Sequence, residues 1–313
     1  TLEQTDDFLD QNTPMKIAAA QYPVSFQTSW ADYEIKLEHW VGNAASSGAD
    51  ILVFPEYAPM ELASLFSLEV QQDVRLQLPA LQDLLEDYLA LHSRLALEHG
   101  VYIVAGSYPV RVDKRNDDPS PFSVYVNRAY FFGPGGTFDF QDKLIMTRFE
   151  RETWGISSGA GLKVFETPHG RLGILICYDC EFPHLSRKLV EAGADLILIP
   201  SCTDTLNGYH RVEVGGRARA LENQCFTVQA PLVGTSDWCE TIDVCLGAAG
   251  FYTPIDAGYP ENGVLARGEL NTPGWVYADL DLSVLKNTRA NGQVLNYQHW
   301  TEGEVQALGP LER

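Results

Sequence analysis

Residues 172–177 carry the sequence LGILIC, an apolar run that ends in a cysteine. A short run rich in Ile and Leu is typical of a strand that is buried on both faces of a sheet. Comparable runs bounded by Gly, Pro or Asp recur along the chain, at residues 16–21, 51–55, 102–108, 123–132, 196–200 and 225–230. The sequence therefore predicts a core built on β-strands.

Segments with helical spacing lie between several of these strands. Residues 30–46 and 78–98 repeat apolar side chains at intervals of three and four, and residues 183–191 and 211–223 are two further predicted helices. An alternation of strands and helices predicts an α/β domain.

The stretch from residue 123 to residue 144 departs from simple alternation. Two predicted strands are joined there by Gly133, Pro134, Gly135 and Gly136, which indicates an antiparallel hairpin. A mixed sheet, or two sheets face to face with helices outside, is therefore favoured over a purely parallel sheet. Residues 234–274 are rich in Gly, Pro and Asp and are expected to form late strands and closing loops.

Length and composition fit one large domain. The chain has 313 residues, 45% of them hydrophobic, which can bury a sizeable core. We predict a polar tail over residues 1–14, a domain over residues 15–285, and a C-terminal extension over residues 286–313 that lies on the surface or at a subunit interface. The acidic start lacks the features of a signal peptide, and no apolar run is long enough to span a membrane.

Charge and cysteine usage exclude several kinds of partner and location. The formal net charge is −20, from 22 basic and 42 acidic residues, so the basic surface that nucleic acids require is missing. Six cysteines without a secretory signal fit reduced thiols in the cytoplasm. Four of them are expected to pack in or near the core: Cys202, Cys225, Cys239 and Cys245.

Three polar residues stand at or just after predicted strand ends. Glu56 follows the run ILVFP, Lys143 follows the second strand of the hairpin, and Cys177 closes the run LGILI. The carboxyl ends of strands in α/β folds face a shared crevice where ligand sites gather. A carboxylate, an ammonium and a thiol in one crevice would shift one another's ionisation.

These three groups supply the chemistry of a two-step hydrolysis. The carboxylate takes the proton of the thiol, which then attacks an amide carbonyl or a nitrile carbon. The ammonium and the backbone N–H of Tyr178 stabilise the resulting negative charge. The protonated carboxyl then gives its proton to the departing amine and afterwards activates a water molecule.

The sequence around these residues resembles that of the nitrilase superfamily of carbon–nitrogen hydrolases, and the resemblance extends from about residue 15 to residue 285. The sequences FPEY (54–57), DKL (142–144) with TRFER (147–151), and GILICYD (173–179) with EFP (181–183) are similar to its base, lysine and nucleophile blocks. A fourth stretch, RARALEN (217–223), is similar to a structural helix that the family carries downstream.

The resemblance implies a four-layer α-β-β-α sandwich with two mixed sheets, and no metal or organic cofactor. It implies Glu56 as general base, Lys143 as oxyanion stabiliser and Cys177 as nucleophile. Glu150 matches a second glutamate that supports Lys143 or the substrate. It further implies a homodimer or higher homo-oligomer, often with C-terminal segments crossing over.

The residues after Cys177 indicate the kind of bond that is cleaved. True nitrilases usually carry Trp-Glu after the nucleophile, whereas this chain has Tyr178 and Asp179. That resembles branches that act on amides, some of which carry an acetyltransferase-like domain for which this chain has no room. A small carboxamide is therefore the expected substrate, with Tyr57, Tyr178 and Thr203 as substrate-binding candidates. A nitrile or an N-carbamoyl amide, processed by the same triad, is the alternative.

Two other classes of function compete with hydrolysis. Cys177 and Cys180 form a Cys-x-x-Cys pair, which is also found in thiol–disulfide oxidoreductases. A zinc site would need two further ligands close by, and none follows the same spacing. An inactive binding protein that keeps the fold, and acyl transfer to an acceptor other than water, are the remaining alternatives.

Overall fold

A computed structural model describes residues 14–113 and 124–307, with side chains described as far as residue 303. Our predictions for residues 1–13, Ser123 and residues 308–313 lie outside the described residues. No helix of the described part is both long and apolar enough to cross a membrane.

The chain alternates strands and helices, as predicted. The strands are β1 Met15–Pro23, β2 Ile51–Phe54, β3 Tyr102–Val112, β4 Val124–Phe132, β5 Phe138–Asp142, β6 Ile156–Ser157, β7 Val164–Thr167, β8 Gly170–Ile174, β9 Leu196–Ser201, β10 Phe226–Thr235, β11 Val244–Cys245, β12 Gly250–Tyr252, β13 Val264–Arg267 and β14 Gly274–Leu280. The α-helices are α1 Trp30–Ser46, α2 Leu68–Gln71, α3 Val74–Leu81, α4 Leu85–His99, α5 Pro183–Glu191, α6 Leu206–Asn223, α7 Ser283–Asn291 and α8 Asn296–Ala307. Shorter helical turns span Ala58–Leu65, Gln82–Leu84, Phe149–Trp154, Cys177–Glu181 and Glu240–Ile242.

The strands form two mixed sheets. In the first sheet β1, β2 and β3 are parallel, while β4, β5 and β14 add antiparallel pairs and β6 lies beside β4. In the second sheet β8, β9 and β10 are parallel, while β7, β12 and β13 add antiparallel pairs. The sheets are joined where the last two residues of β1, Tyr22 and Pro23, pair with β10.

Alternating side chains show how the layers stack. In β1, Ile17 and Ala19 belong to the core that also contains Leu198 of the second sheet. Ala18 and Ala20 belong to the core formed with α1 and α4, on the outer face of the first sheet. Helices α5 and α6 cover the outer face of the second sheet. The predicted α-β-β-α sandwich is therefore confirmed.

Helix bounds agree with the sequence patterns except at two places. Residues 30–46 and 183–191 are helical as predicted, whereas residues 78–98 are interrupted at Gln82–Leu84. The Tyr108 hydroxyl donates to the Leu81 carbonyl (2.6 Å), which in a continuous helix would accept from the N–H of Leu85. The helix predicted over residues 211–223 begins earlier, because Thr205 caps it through the N–H of Gly208.

The strand predicted over residues 172–177 ends earlier than expected. β8 stops at Ile174, and Leu175 keeps one further bond from its N–H to the carbonyl of Leu198 (3.0 Å). Cys177 has φ +49° and begins the turn Cys177–Glu181. The chain therefore leaves the sheet in order to aim the cysteine side chain, at the cost of a left-handed backbone that non-glycine residues avoid.

The C-terminal segment forms two helices on the second sheet's side of the molecule. Arg289 of α7 bonds Asp195 (2.6 Å), and the guanidinium of Arg187 lies 4.8 Å from the ring centre of Tyr297 in α8. The boundary predicted between residues 285 and 286 falls inside α7. The division into domain and extension remains a prediction.

Gly106 is required where β3 passes the loop that carries Glu56. It has φ +77°, and a Cβ there would lie 2.3 Å from the carbonyl oxygen of Pro55. Gly48 has nearly the same φ, +79°, but open space around it. The two glycines therefore separate the cost of the backbone conformation from the cost of the clash.

We expect Gly106→Ala to lower the free energy of unfolding more than Gly48→Ala does. Gly48→Ala should cost about 1–2 kcal/mol for the left-handed conformation alone. Gly106→Ala should cost a further ~1–3 kcal/mol for the clash with Pro55. Urea denaturation of both variants measures the difference. Equal losses of unfolding free energy would show that the loop at Pro55 can move aside at no cost.

Candidate active site

The three predicted catalytic groups lie together, although they come from different sheets. Glu56 follows β2 and Lys143 follows β5 in the first sheet, whereas Cys177 follows β8 in the second. Their exposed fractions are 1%, 1% and 5%. All three line one cavity of about 440 Å³.

The Lys143 ammonium joins two glutamates. Its Nζ donates to Glu56 Oε1 and to Glu150 Oε2, both at 2.7 Å. The contact with Glu150, which sequence spacing left open, is therefore present. A buried cation between two carboxylates is the arrangement in which charged groups tolerate an interior position.

Glu150 is held by further donors. The Tyr57 hydroxyl donates to Oε1 (2.6 Å), while the N–H and hydroxyl of Thr147 donate to Oε2, both at 2.9 Å. With Lys143 these bonds fill most of the acceptor capacity of the carboxylate. Glu150 is thereby fixed in its ionised form beside the lysine.

Asn127 was not singled out from the sequence, yet it contacts every part of this ion cluster. Its Nδ2 donates to Glu56 Oε1 (2.9 Å) and to Glu150 Oε1 (3.2 Å). Its backbone carbonyl accepts from the backbone N–H of Lys143 (2.8 Å). It is fully buried in β4. A lone asparagine inside the apolar strand VYVNRAYFF was the available signal, because a buried amide needs partners.

The peptide of Cys202 connects the base candidate with the nucleophile candidate. Its N–H donates to Glu56 Oε2 (3.1 Å), and its carbonyl lies 3.6 Å from Cys177 Sγ. Cys202 thus packs near the core, as predicted, and also lines the cavity. Its thiol lies 3.8 Å from Cys245 Sγ.

Cys180 points away from this arrangement. It is fully buried, and its Sγ lies 3.7 Å from the carbonyl of Val212 in α6. The six cysteines are all free thiols in the structure.

The three substrate-binding candidates, Tyr57, Tyr178 and Thr203, all line the cavity. The Tyr57 hydroxyl is engaged by Glu150, and the Thr203 hydroxyl donates to the carbonyl of Leu246 (2.7 Å). Tyr178 is half-buried and packs edge-on against Phe182. The remaining wall includes charged side chains, namely Arg148, Glu181, Asp204, Arg211, Glu240 and Asp243.

The buried charges shift one another's ionisation. Burial acts to lower the pKa of Lys143, but Glu150 and Glu56 outweigh it and hold that pKa well above its ordinary value. Burial acts to raise the pKa of Glu150, yet Lys143 and the hydroxyl and N–H donors keep it below the ordinary value. Lys143 and Glu150 therefore form an ion pair in which each group keeps the other charged near neutral pH.

The pKa values of Glu56 and Cys177 are shifted so as to favour the neutral forms of these two groups, whereas those of Lys143 and Glu150 favour the charged forms. Burial raises the pKa of Glu56, with Glu150 adding to the effect and Lys143 opposing it. Burial and the charge of Glu56 raise the pKa of the Cys177 thiol well above its ordinary value. The thiol therefore stays protonated at rest, and it needs a neighbouring base to react.

The described residues contain no group of three or more His, Cys, Asp or Glu side chains arranged to hold a metal ion. The arrangement can exchange one proton between a carboxyl and a thiol, next to a fixed positive charge. Such a set is suited to nucleophilic attack on a polarised carbon.

Replacement of Lys143 by methionine should destabilise the protein in a pH-dependent way. The variant leaves two buried carboxylates without their cation, which should cost about 3–5 kcal/mol near neutral pH. The folded-state pKa values of Glu56 and Glu150 should then lie above the unfolded value of about 4.3. Because the folded state would bind these protons more tightly, its stability should fall as pH rises.

Urea denaturation at about pH 5.5 and about pH 8 tests this linkage. Lys163→Met is the matched control, since Lys163 pairs with Asp139 on the surface (2.6 Å) and should change stability by less than about 1 kcal/mol at either pH. Equal losses for Lys143→Met at both pH values would contradict a buried ion cluster.

Comparison with known proteins places the chain among enzymes of one family. The family model described as carbon-nitrogen hydrolase matches residues 16–290. The probable hydrolase YhcX of Bacillus subtilis is 33% identical over 292 residues, which is 93% of this chain and 55% of that protein. The chain thus spans about half the length of this relative.

Two further matches come from curated and solved proteins. The deaminated glutathione amidase of Bos taurus is 28% identical over 267 residues, covering 83% of this chain and 74% of that protein. The structure of the carbon-nitrogen hydrolase from Helicobacter pylori G27 superposes with a TM-score of 0.73 at 16% identity, covering 96% and 99% of the two chains. The last match establishes the fold.

Proposed function

The chain belongs to the carbon-nitrogen hydrolase family, and on that premise we propose that it hydrolyses a small carboxamide to a carboxylate and ammonia. A thioester on Cys177 is the intermediate, Glu56 is the general base and Lys143 stabilises the oxyanion. The observation that carries this proposal is the Lys143 ammonium, bound at 2.7 Å to Glu56 and at 2.7 Å to Glu150, in the cavity that the Cys177 thiol also lines.

The first step is transfer of the thiol proton to Glu56. The raised pKa of Glu56 brings this carboxyl closer to the range where it can both take and return a proton. The thiolate then attacks the amide carbonyl carbon, and the carbonyl π-electron pair moves to the oxygen. The bond from Sγ to carbon is thereby formed, and a tetrahedral oxyanion results.

The oxyanion is stabilised by charges that are already in place. Lys143 Nζ and the backbone N–H of Tyr178 are the proposed donors. Glu150 keeps Lys143 protonated and oriented, so no reorganisation is needed when the negative charge develops. In a buried site such a fixed cation acts more strongly than it would in water.

Collapse of the tetrahedral intermediate breaks the carbon–nitrogen bond. Glu56 returns its proton to the departing nitrogen, and ammonia leaves. Glu56, again a carboxylate, then takes a proton from a water molecule that attacks the thioester. The bond from carbon to Sγ then breaks, Glu56 returns this proton to the sulfur, and the carboxylic acid product leaves.

The preference for amides over nitriles rests on Tyr178 and Asp179 after the nucleophile. It agrees with the name of one relative, the deaminated glutathione amidase. A nitrile or an N-carbamoyl amide as substrate of the same three residues is the alternative. We also propose a homodimer or higher homo-oligomer in the cytoplasm, which the family resemblance and the free thiols support.

Cys177→Ala should abolish hydrolysis, whereas Cys180→Ala should leave it nearly unchanged. Loss of a nucleophile removes the covalent route, and losses on the order of 10³-fold or more are typical. Ammonia release from an aliphatic amide measures both variants, and mass spectrometry should find the acyl group on Cys177. Similar losses in both variants would favour a redox pair instead.

A matched amide and nitrile distinguish the two substrate classes. We expect propionamide to be hydrolysed with a higher kcat/KM than propionitrile by the same preparation. Product analysis with hydroxylamine present separates hydrolysis from acyl transfer. A higher kcat/KM for the nitrile would reverse the assignment of substrate class while leaving the role of Cys177 intact.

A further inference from the structure

The carboxyl group of Asp179 lies between the two loops that carry Cys177 and Lys143. Asp179 Oδ1 accepts from the N–H of Ile145 (2.8 Å) and Leu144 (3.2 Å), and Oδ2 accepts from Leu144 at 3.1 Å. These two peptides follow Lys143 directly in the chain. Asp179 itself is 1% exposed and stands two positions after Cys177.

We propose that Asp179 is a positioning residue for the reaction. It ties the lysine loop, residues 143–145, to the nucleophile turn, residues 177–181, and so sets the spacing between Lys143 Nζ and Cys177 Sγ. This inference rests on the proposed function and adds a residue to it. Asp179 does not touch the reacting atoms in this scheme, since its acceptors are used on backbone N–H groups.

The topology explains why a tether is needed at this place. The lysine loop leaves β5, which among the described strands pairs only with β4, whereas the nucleophile turn follows β8 of the second sheet. Hydrogen bonds of the Lys143 backbone run to Asn127 and Gly159, both outside the second sheet. The Asp179 carboxyl connects the lysine loop across to the other sheet.

The spacing matters because catalysis is sensitive to small displacements. A shift of about 1 Å in a catalytic group can cost on the order of 10²-fold in rate. An oxyanion donor must lie within hydrogen-bond distance of the charge that forms next to Sγ. The positions of Lys143 and Cys177 relative to each other must therefore stay fixed. One carboxylate that accepts two adjacent N–H groups supplies a rigid connection of this kind.

The ionisation of Asp179 gives this role a measurable signature. Burial raises the pKa of Asp179 to about 7, while Lys143 and the N–H groups of Leu144 and Ile145 oppose the rise and Glu150 adds to it. Burial raises the pKa of the neighbouring Cys180 thiol, and the charge of Asp179 adds to this rise. The protonated carboxyl is a weaker acceptor, so the tether should loosen as the pH falls below neutrality.

Asp179→Asn and Asp179→Ala test the inference, with Asp50→Asn as the matched control. Asp50 also accepts a backbone N–H, that of Lys16 (2.8 Å), at the opposite end of β2 from Glu56. Asparagine keeps one acceptor oxygen and alanine keeps none. We therefore expect kcat to fall on the order of 10-fold in Asp179→Asn and 10²-fold in Asp179→Ala, with little change in KM.

The pH profile of kcat separates positioning from a purely structural role. The wild type should lose activity on the acid side through both Glu56 and Asp179. Asp179→Asn should keep only the limb that belongs to Glu56, and Asp50→Asn should match the wild type. A structural role would instead lower the fraction of folded protein and leave the shape of the profile unchanged.

Two results would overturn the inference. One is an unchanged kcat in folded Asp179→Ala, and the other is a reduced kcat with an unaltered pH profile in Asp179→Asn. If neither variant folds, Asp179→Glu, which keeps the carboxylate on a longer arm, must show reduced kcat with a retained acid limb. Failure of the proposed function is distinct, because it would appear as full activity in Cys177→Ala.

Discussion

The Lys143 ammonium, shared between Glu56 and Glu150 in the interior, is the interaction on which the rest of the site depends. Removing a lysine and two carboxylates from water costs several kcal/mol for each ion. Only short bonds, such as the two at 2.7 Å here, together with full use of the remaining acceptors, make such a cluster tolerable. The fold must therefore bring donors to both glutamates, and it does so with Tyr57, Thr147 and Asn127.

The same cluster separates the four ionisable groups into two kinds. Lys143 and Glu150 stabilise each other and keep their charges, so they act as fixed electrostatics. Glu56 and Cys177 are both shifted towards their neutral forms by burial, so in the proposed reaction these two groups are the ones that exchange a proton. A site with one fixed ion pair and one proton-exchanging pair would suit the proposed acyl chemistry, because the stabilising charge does not depend on the proton transfer.

The sequence alone identified the groups at the ends of predicted strands. It missed the residues whose partners are distant in the sequence. Glu56 and Cys177 each follow an apolar run and Lys143 follows the second strand of the predicted hairpin, all of which can be read from the sequence. Asn127 sits in the middle of β4, and its partners lie 71 and 23 positions away, so no spacing reveals them. The break near Gln82 is likewise set by Tyr108, a residue on another element. Both features depend on hydrogen bonds between residues far apart in the chain, which a local sequence pattern does not show.

The junction between the sheets has a mechanical consequence for the site. Tyr22 and Pro23, at the carboxyl end of β1, pair with β10 at the end from which the chain also leaves β2 towards Glu56 and β9 towards Cys202. Backbone pairing thus crosses from one sheet to the other beside the proposed catalytic groups. Because this pairing resists separation of the two sheets there, we expect changes in access to the cavity to come from the loops that line it, such as residues 147–150 and 240–244.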